Sequence, residues 1–483
     1  MYKNIVRAIY DQAPLLEAVV KQYGDMTIHE YLDTLKNHSS GNIDLREDIP
    51  DVIKSYLLEH TDEITACGIA KVLSDTGYLL TANHHQVEFM LDFLHGNLLY
   101  DYHLESLLAD RDNLIPILST ASITMTCNTY PKGMLLYNTR HHAVYKLPIF
   151  SNRFKNETVL FTDHFTEDMV RNAREKAFKA YKNGFISRKE ADAAIRILDE
   201  VYLDERVLAA DDYSKQVTFA NMLLSQGYFR DRQRSYVYIP LEEVAAGLII
   251  RDLGNEDSLL YRLIMDKSIL KKLLIRLKGV TGCWNDHKTG TVLFWGVDDK
   301  HRKIHLSFDD TMSLLRGRDL DGREYTYEYT HDHIIEYLKE KKIFPGLFAS
   351  YTVIAFARDY YVLGGCFQGA YLKNMVDGLS SVLSEAGGFT RELDVLKKKR
   401  FLLLSGMTLD LYADTECLLP ASSVELWDRP ISHEAFTDAL SIKVDKAIEL
   451  SNIIMYERVI PAPSRVENWS RYIYEGVNAS IKN

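Results

Sequence analysis

Residues 77–125, "GYLLTANHHQVEFMLDFLHGNLLYDYHLESLLADRDNLIPILSTASITM", decide the fold class. "GYLLTA" (77–82) has the apolar, small-residue look of a buried strand, and "LIPILSTASITM" (114–125) is a second. Between them, "QVEFMLDFLHGNLLYDYHLESLLAD" repeats its apolar residues at helical spacing. Two strands apolar on both faces and joined by a helix form the pattern of a parallel βαβ unit, because parallel pairing needs a crossover and the crossover helices cover the sheet. The chain therefore reads as α/β. In such sheets ligands bind outside the carboxyl ends of the strands. "ANHHQ" and "STAS" both fall there.

Working outward, residues 1–75 read as a helical lead-in, with "LLEAVVKQYG" closing on a glycine and "IPDVIKSYLLEH" carrying a proline near its first turn. Residues 76–162 hold the first part of the core, and 163–230 form a charged helical insertion. In that insertion Gly184 and Gly227 sit where C-caps would, and Ser187 opens "SRKEADAAIRIL" as an N-cap. The core continues over 231–278, where "SYVYIPLEEVAAGLIIRDL" reads as strand then helix. Short β-rich runs between turn residues make 279–330 a small antiparallel module. Residues 331–390 return to the core with "YYVLGG" opening into a glycine turn, and 391–483 are a mixed segment without an interpretable motif. The expected architecture is a Rossmann-like parallel sheet with a helical insertion and a small antiparallel β module.

Composition narrows the function classes. A net charge of −11, spread along 483 residues, argues against a surface built to neutralise phosphates, so no nucleic-acid partner is expected. "LKKKR" (396–400) reads as a solvated helix face. No apolar run approaches the ~20 residues that span a bilayer, and the N-terminus lacks the layout of a secretory signal. The expected location is cytoplasmic. Cys67, Cys127, Cys283, Cys366 and Cys417 are scattered without a C-x-x-C pair and read as reduced thiols.

Three constellations carry candidate chemistry. Asn83, His84, His85 and Gln86 lie at a strand-to-helix junction, where the positive helix end favours an anion and imidazoles move protons near neutral pH. The alternative is that one histidine caps the helix while the other is buried and hydrogen-bonded. The second is "STASITMTCNTYPKG" (119–133), in which Ser119, Thr120, Ser122 and Tyr130 offer hydroxyls and Lys132 a cation, although "YPKG" alone is more often a turn. The third is "LGGCFQGAYL" (363–372): Gly364 and Gly365 permit close backbone approach, while Gln368 and Tyr371 can read polar edges. Its glycines at 364, 365 and 369 lack dinucleotide-fingerprint spacing, and Cys366 has no evident base beside it. "HHQ", "RHH" (140–142) and "HDH" (331–333) lack metal-ligand spacing, so no metal site is expected.

The order of these pieces resembles the cysteine-adding enzymes of bacillithiol biosynthesis, a Rossmann-like family with inserted helical segments. His85-Gln86 matches that family's H-Q step and Gly96 to Tyr100 its later "GPLY"-like portion. "IPILSTASITMTCNTY" occupies the place of the next strand, and Gly364, Gly365, Gln368 and Tyr371 fall in register with "GGPxExxY". Two departures remove carboxylates: Ser119, Thr120, Ala121 and Ser122 stand where the family has an acidic cluster, and Gln368 replaces a glutamate. The resemblance implies a ligase or transferase that condenses an amino acid or amine with a small polar metabolite, here with a different substrate pair. His84 and His85 would be catalytic, with Asn83, Gln86 and the second and third constellations binding substrate. Two other functions stay open: adenylyl or nucleotidyl transfer, with an adenine nucleotide as cofactor, and non-catalytic metabolite binding. The helical insertion suggests a homodimer.

Overall fold

The structure is a computed structural model and describes residues 1–36, 48–108, 113–138, 143–284, 290–411 and 420–481. Cys417 and the "RHH" histidines lie outside them. Five strands make one parallel sheet: β1 (Tyr78–Leu80), β2 (Leu114–Ser119), β3 (Ser235–Pro240), β4 (Tyr361–Gly365) and β5 (Leu402–Ser405). Their spatial order is 3-2-1-4-5. The chain moves from β1 to β2 and β3 on one side, then crosses back to lay β4 and β5 on the other. The winding direction thus reverses between β1 and β4.

Side-chain alternation explains why these strands read as continuous apolar runs. Tyr78, Leu80, Ile115, Ile117, Tyr236 and Leu363 join one buried cluster, while Leu79, Leu118, Val237, Ile239 and Val362 join the other. Both faces are covered. Helix α1 (Leu91–Leu107) buries Leu94 and Leu98 in the first cluster. On the opposite face α2 (Leu241–Leu253) inserts Val244 and Leu248, and α3 (Cys366–Ala386) inserts Met375 and Leu379. Each such side chain stabilises the fold by about 1.5–3 kcal/mol relative to exposure. Gly96 lets α1 close on the end of β5, since a Cβ there would lie 2.5 Å from Ser405 Oγ.

Several sequence boundaries move. The second strand stops at Ser119 because the buried Glu242 carboxylate, in the first turn of α2, takes the backbone N–H groups of Ala121 and Ser122 at 2.8 and 2.9 Å. The first crossover helix starts at Leu91 rather than near Gln86. Before it, the Glu88 carboxylate accepts the Met90 N–H at 2.7 Å, and Asn221 Oδ1 accepts that of Glu88 at 2.9 Å. The histidine pair therefore belongs to a loop, not to a helix start. Gly227 ends its helix with φ −83 and needs no left-handed turn; a Cβ there would lie 2.2 Å from the Trp427 ring. Ser187 does cap its helix, in a reciprocal box with Glu190.

The region 163–230 contains the helices Glu167–Lys182, Arg188–Ile197 and Tyr213–Gln226. Residues 279–330 supply antiparallel strands in two three-stranded sheets, the second completed by Ile343–Pro345. The C-terminal segment contributes β5 and the helix α4 (Val444–Val459). Among the described residues no helix is long and apolar enough to cross a membrane.

Candidate functional site

A cavity of about 570 Å³ opens at the carboxyl ends of β1, β2, β4 and β5. Thr81 and His84 enter it after β1, Thr120 and Ser122 after β2, and Ser405 and Gly406 at the end of β5. Gly365 closes β4 there and Cys366, Phe367 and Gln368 begin α3. The first turn of α3 has no side-chain cap, and Cys366, Phe367 and Gln368 of that turn line the cavity, so helix N–H groups are left without side-chain partners there. The antiparallel module supplies the far wall with Gly279–Cys283, Trp295 and Lys303, while Asp92 and Phe93 come from α1 and Arg458 from α4. This gives residues 279–330 a place in the site.

Among the described residues His84 is the imidazole that lines the cavity. Its Nδ1 lies 2.9 Å from Thr129 Oγ1 and 3.5 Å from Cys127 Sγ, and its ring packs edge-on to Phe93 at 5.4 Å. With Nδ1 engaged, Nε2 is the nitrogen left for a ligand. Lys303 lies 4.6 Å from the Trp295 ring centre and donates to the Ser122 carbonyl at 3.1 Å. Burial pushes its ammonium below the ordinary lysine value. Arg458 pairs with Asp92, whose side chain is 2% exposed. Two buried polar atoms of cavity residues, Asp92 Oδ1 and Ser405 Oγ, have no protein partner. Such atoms call for an explanation, and a bound polar ligand is one.

The chain matches no family model, no curated protein and no solved structure.

Of the residues picked out from the sequence, His84, Thr120, Ser122, Gly365, Gln368 and Tyr371 line the cavity. His85 does not. Its ring is fully buried, held by Ser119 Oγ at 2.7 Å and the Ser214 carbonyl at 3.0 Å, and burial pushes its pKa down to about 4. The alternative reading of one fold histidine fits it. Ser119 is buried as its partner. Asn83 is also buried: its Nδ2 contacts Asn97 Oδ1 and Tyr238 OH, both at 2.8 Å, inside a core network with Glu88. The Gln86 amide is buried with neither polar atom partnered, away from the cavity lining. Tyr130 takes a left-handed turn at φ 67, and Lys132 bonds Asn152 at 2.7 Å, as the "YPKG" turn reading has it. Gly364 sits just behind the cavity, against Gln368.

Sequence reasoning missed Asp92, Lys303, Arg458 and the supporting Glu242. Asp92 looked like a helix face, and the other three lie far along the chain from the motif. Asp92 nonetheless brings a carboxylate to a cavity whose strand-end motif lacks one. Among the described residues no group of three or more histidine, cysteine or acidic side chains is placed to hold a metal.

Proposed function

We propose that the chain is a cytoplasmic enzyme of small-molecule biosynthesis, of the ligase or transferase type, on a Rossmann-like sheet whose β1/β4 reversal holds the substrate. One observation carries this reading: a single cavity at that reversal gathers His84, the ammonium of Lys303, the Asp92–Arg458 pair and the uncapped start of α3. Open parallel sheets place ligands at such points. The motif order shared with the bacillithiol cysteine-adding family supports the same reaction class.

In the proposed condensation the attacking amine loses its proton to His84 Nε2 as the new bond forms, and the same imidazole returns a proton to the departing oxygen. Lys303 and the α3 N–H groups stabilise negative charge that develops on the acceptor. Asp92 Oδ1 receives a donor of the substrate and fixes its orientation. The test is a thermal-shift screen against amino acids, small amines, sugar phosphates and nucleotides, followed by mass spectrometry of paired hits. Stabilisation by one amine and one anionic acceptor, together with a product that has lost water, supports the reading. Equal stabilisation of His84→Ala and Lys303→Met moves the ligand elsewhere, and binding without a product demotes the chain to a metabolite-binding protein.

The start of α3 and the two cations also suit a phosphate, which favours adenylyl transfer as a second reading. Stabilisation by adenine nucleotides alone would select it. The helix Glu167–Lys182 leaves Phe178 53% exposed, which supports a homodimer formed through the insertion. Phe178→Glu then shifts sedimentation from dimer toward monomer; a wild-type monomer removes the dimer.

A further inference from the structure

The turn that follows β2 brings a second reactive group against His84, a residue of the cavity lining. Cys127 Sγ lies 3.5 Å from His84 Nδ1 and 3.4 Å from Asn128 Oδ1, and Thr129 Oγ1 shares the same imidazole nitrogen at 2.9 Å. The Cys127 N–H is tied to the Thr124 carbonyl at 2.8 Å and its own carbonyl accepts the Tyr130 N–H at 2.9 Å, so the thiol is held where it is. Cys127 is half-buried and stays within reach of solvent. The other described cysteines differ. Cys283 and Cys366 are buried, and burial pushes both thiols up to about 12. Cys67 is half-buried on the helix Glu63–Thr76, on the far side of β1 in sequence from the histidines.

We propose that Cys127, paired with the cavity residue His84, is a thiol-modification site that forms mixed disulfides with small, soluble disulfides. The thiolate attacks one sulfur of R–S–S–R. The Cys127–S–S–R bond forms as the S–S bond of the small molecule breaks, and R–S⁻ leaves with the electron pair. The disulfide is the oxidant, so no other reactant is needed, and excess free thiol reverses the step. Burial raises the thiol, but the bonds and charge from His84 and the two bonds from Thr129 outweigh it and bring Cys127 down to about 6. Among the described residues His84 is the ionisable group that acts on it most, and the Cys127 charge in turn acts to raise Lys303. The adduct would sit beside His84 and take away one of the two contacts of its Nδ1, leaving that with Thr129 Oγ1. Modification of this residue would therefore couple the thiol status of the surroundings to the cavity.

The experiment uses 5,5′-dithiobis(2-nitrobenzoate), which releases a coloured thiolate, on the full chain under native conditions between about pH 5 and pH 9. One fast equivalent is expected, mapped to Cys127 by peptide mass, absent in Cys127→Ser and half-maximal near pH 6. His84→Ala moves the midpoint up by at least about one unit, toward the ordinary thiol value. Thr129→Val, a smaller change, moves it the same way by less. A fast equivalent that survives in Cys127→Ser overturns the site. A wild-type midpoint near the ordinary value of about 8.5 overturns the activation by His84.

Discussion

Gln368 Nε2 donates to Thr81 Oγ1 at 2.5 Å and so joins the first turn of α3 to the residue just past β1, across the point where the strand order reverses. Gly364 makes this bond possible. A Cβ at 364 would lie 2.4 Å from the Gln368 amide carbon, inside any allowed contact. Gly364→Ala must push Gln368 out of place, with an expected loss of about 1–3 kcal/mol in urea unfolding. Gln368→Leu, which removes the bond but not the volume, should lose less. If Gly364→Ala unfolds at the wild-type midpoint, Gln368 has an alternative position and the glycine is not required for it.

A pH dependence follows from the core network beside the cavity. Glu88 is buried, accepts the Met90 N–H and the Tyr238 hydroxyl, and is pushed by burial from 4.5 up to about 8. A carboxyl whose pKa is higher in the fold than in the unfolded chain binds its proton more tightly when folded. Stability is then greatest below the unfolded value of 4.5 and declines as pH rises toward about 8. Glu88→Gln cannot ionise, so urea unfolding at pH 5 and pH 8 should show the variant gaining on wild type at the higher pH by a few kcal/mol at most. Parallel curves for the two proteins would mean that Glu88 ionises in the fold without penalty.

How much of this was legible in the sequence depended on chain distance. The βαβ pattern was readable because both strands are apolar on both faces, and the position of His84 followed from the strand that precedes it. Periodicity could not separate His84 from His85, since alternate residues of an extended chain face opposite ways and either face could have been the cavity. The identity of the buried one is set by Ser214, more than a hundred residues away in the helical insertion. Lys303, Arg458 and Glu242 were invisible for the same reason: strand order, which local patterns do not encode, brings them to the same edge.

Lys303 is the cation whose role separates a ligand site from a packed core. Lys303→Met puts an unbranched apolar chain of similar length over the Trp295 ring and gives up the bond to the Ser122 carbonyl, a change the fold should survive. What the variant loses is the charge that meets an anionic ligand. Affinity for a carboxylate or phosphate ligand found in the screen should fall about tenfold or more by calorimetry. The same affinity should weaken at a pH below the ordinary lysine value, because burial lowers the point at which Lys303 gives up its proton. An unchanged affinity in Lys303→Met would remove Lys303 from the site.

Just before β4, Arg358 binds two carboxylates distant in sequence. Its guanidinium contacts Asp48 through Nε and Nη2, both at 2.7 Å, and Asp252 through Nη2 at 2.7 Å and Nη1 at 3.2 Å. Arg358 and Asp252 are buried, and burial raises Asp252 despite the guanidinium beside it. Arg358→Met therefore leaves a buried carboxylate without its cation, with an expected loss of about 3–5 kcal/mol in urea unfolding. Arg358→Met/Asp252→Leu removes both charges, and the double variant should recover much of that loss, because the penalty lies in the uncompensated charge rather than in the missing ion pair. Should the double variant be as unstable as Arg358→Met, Asp252 would not be the source, and the remaining contacts of Arg358, with Asp48 and with the Val353 carbonyl at 3.0 Å, would carry the effect.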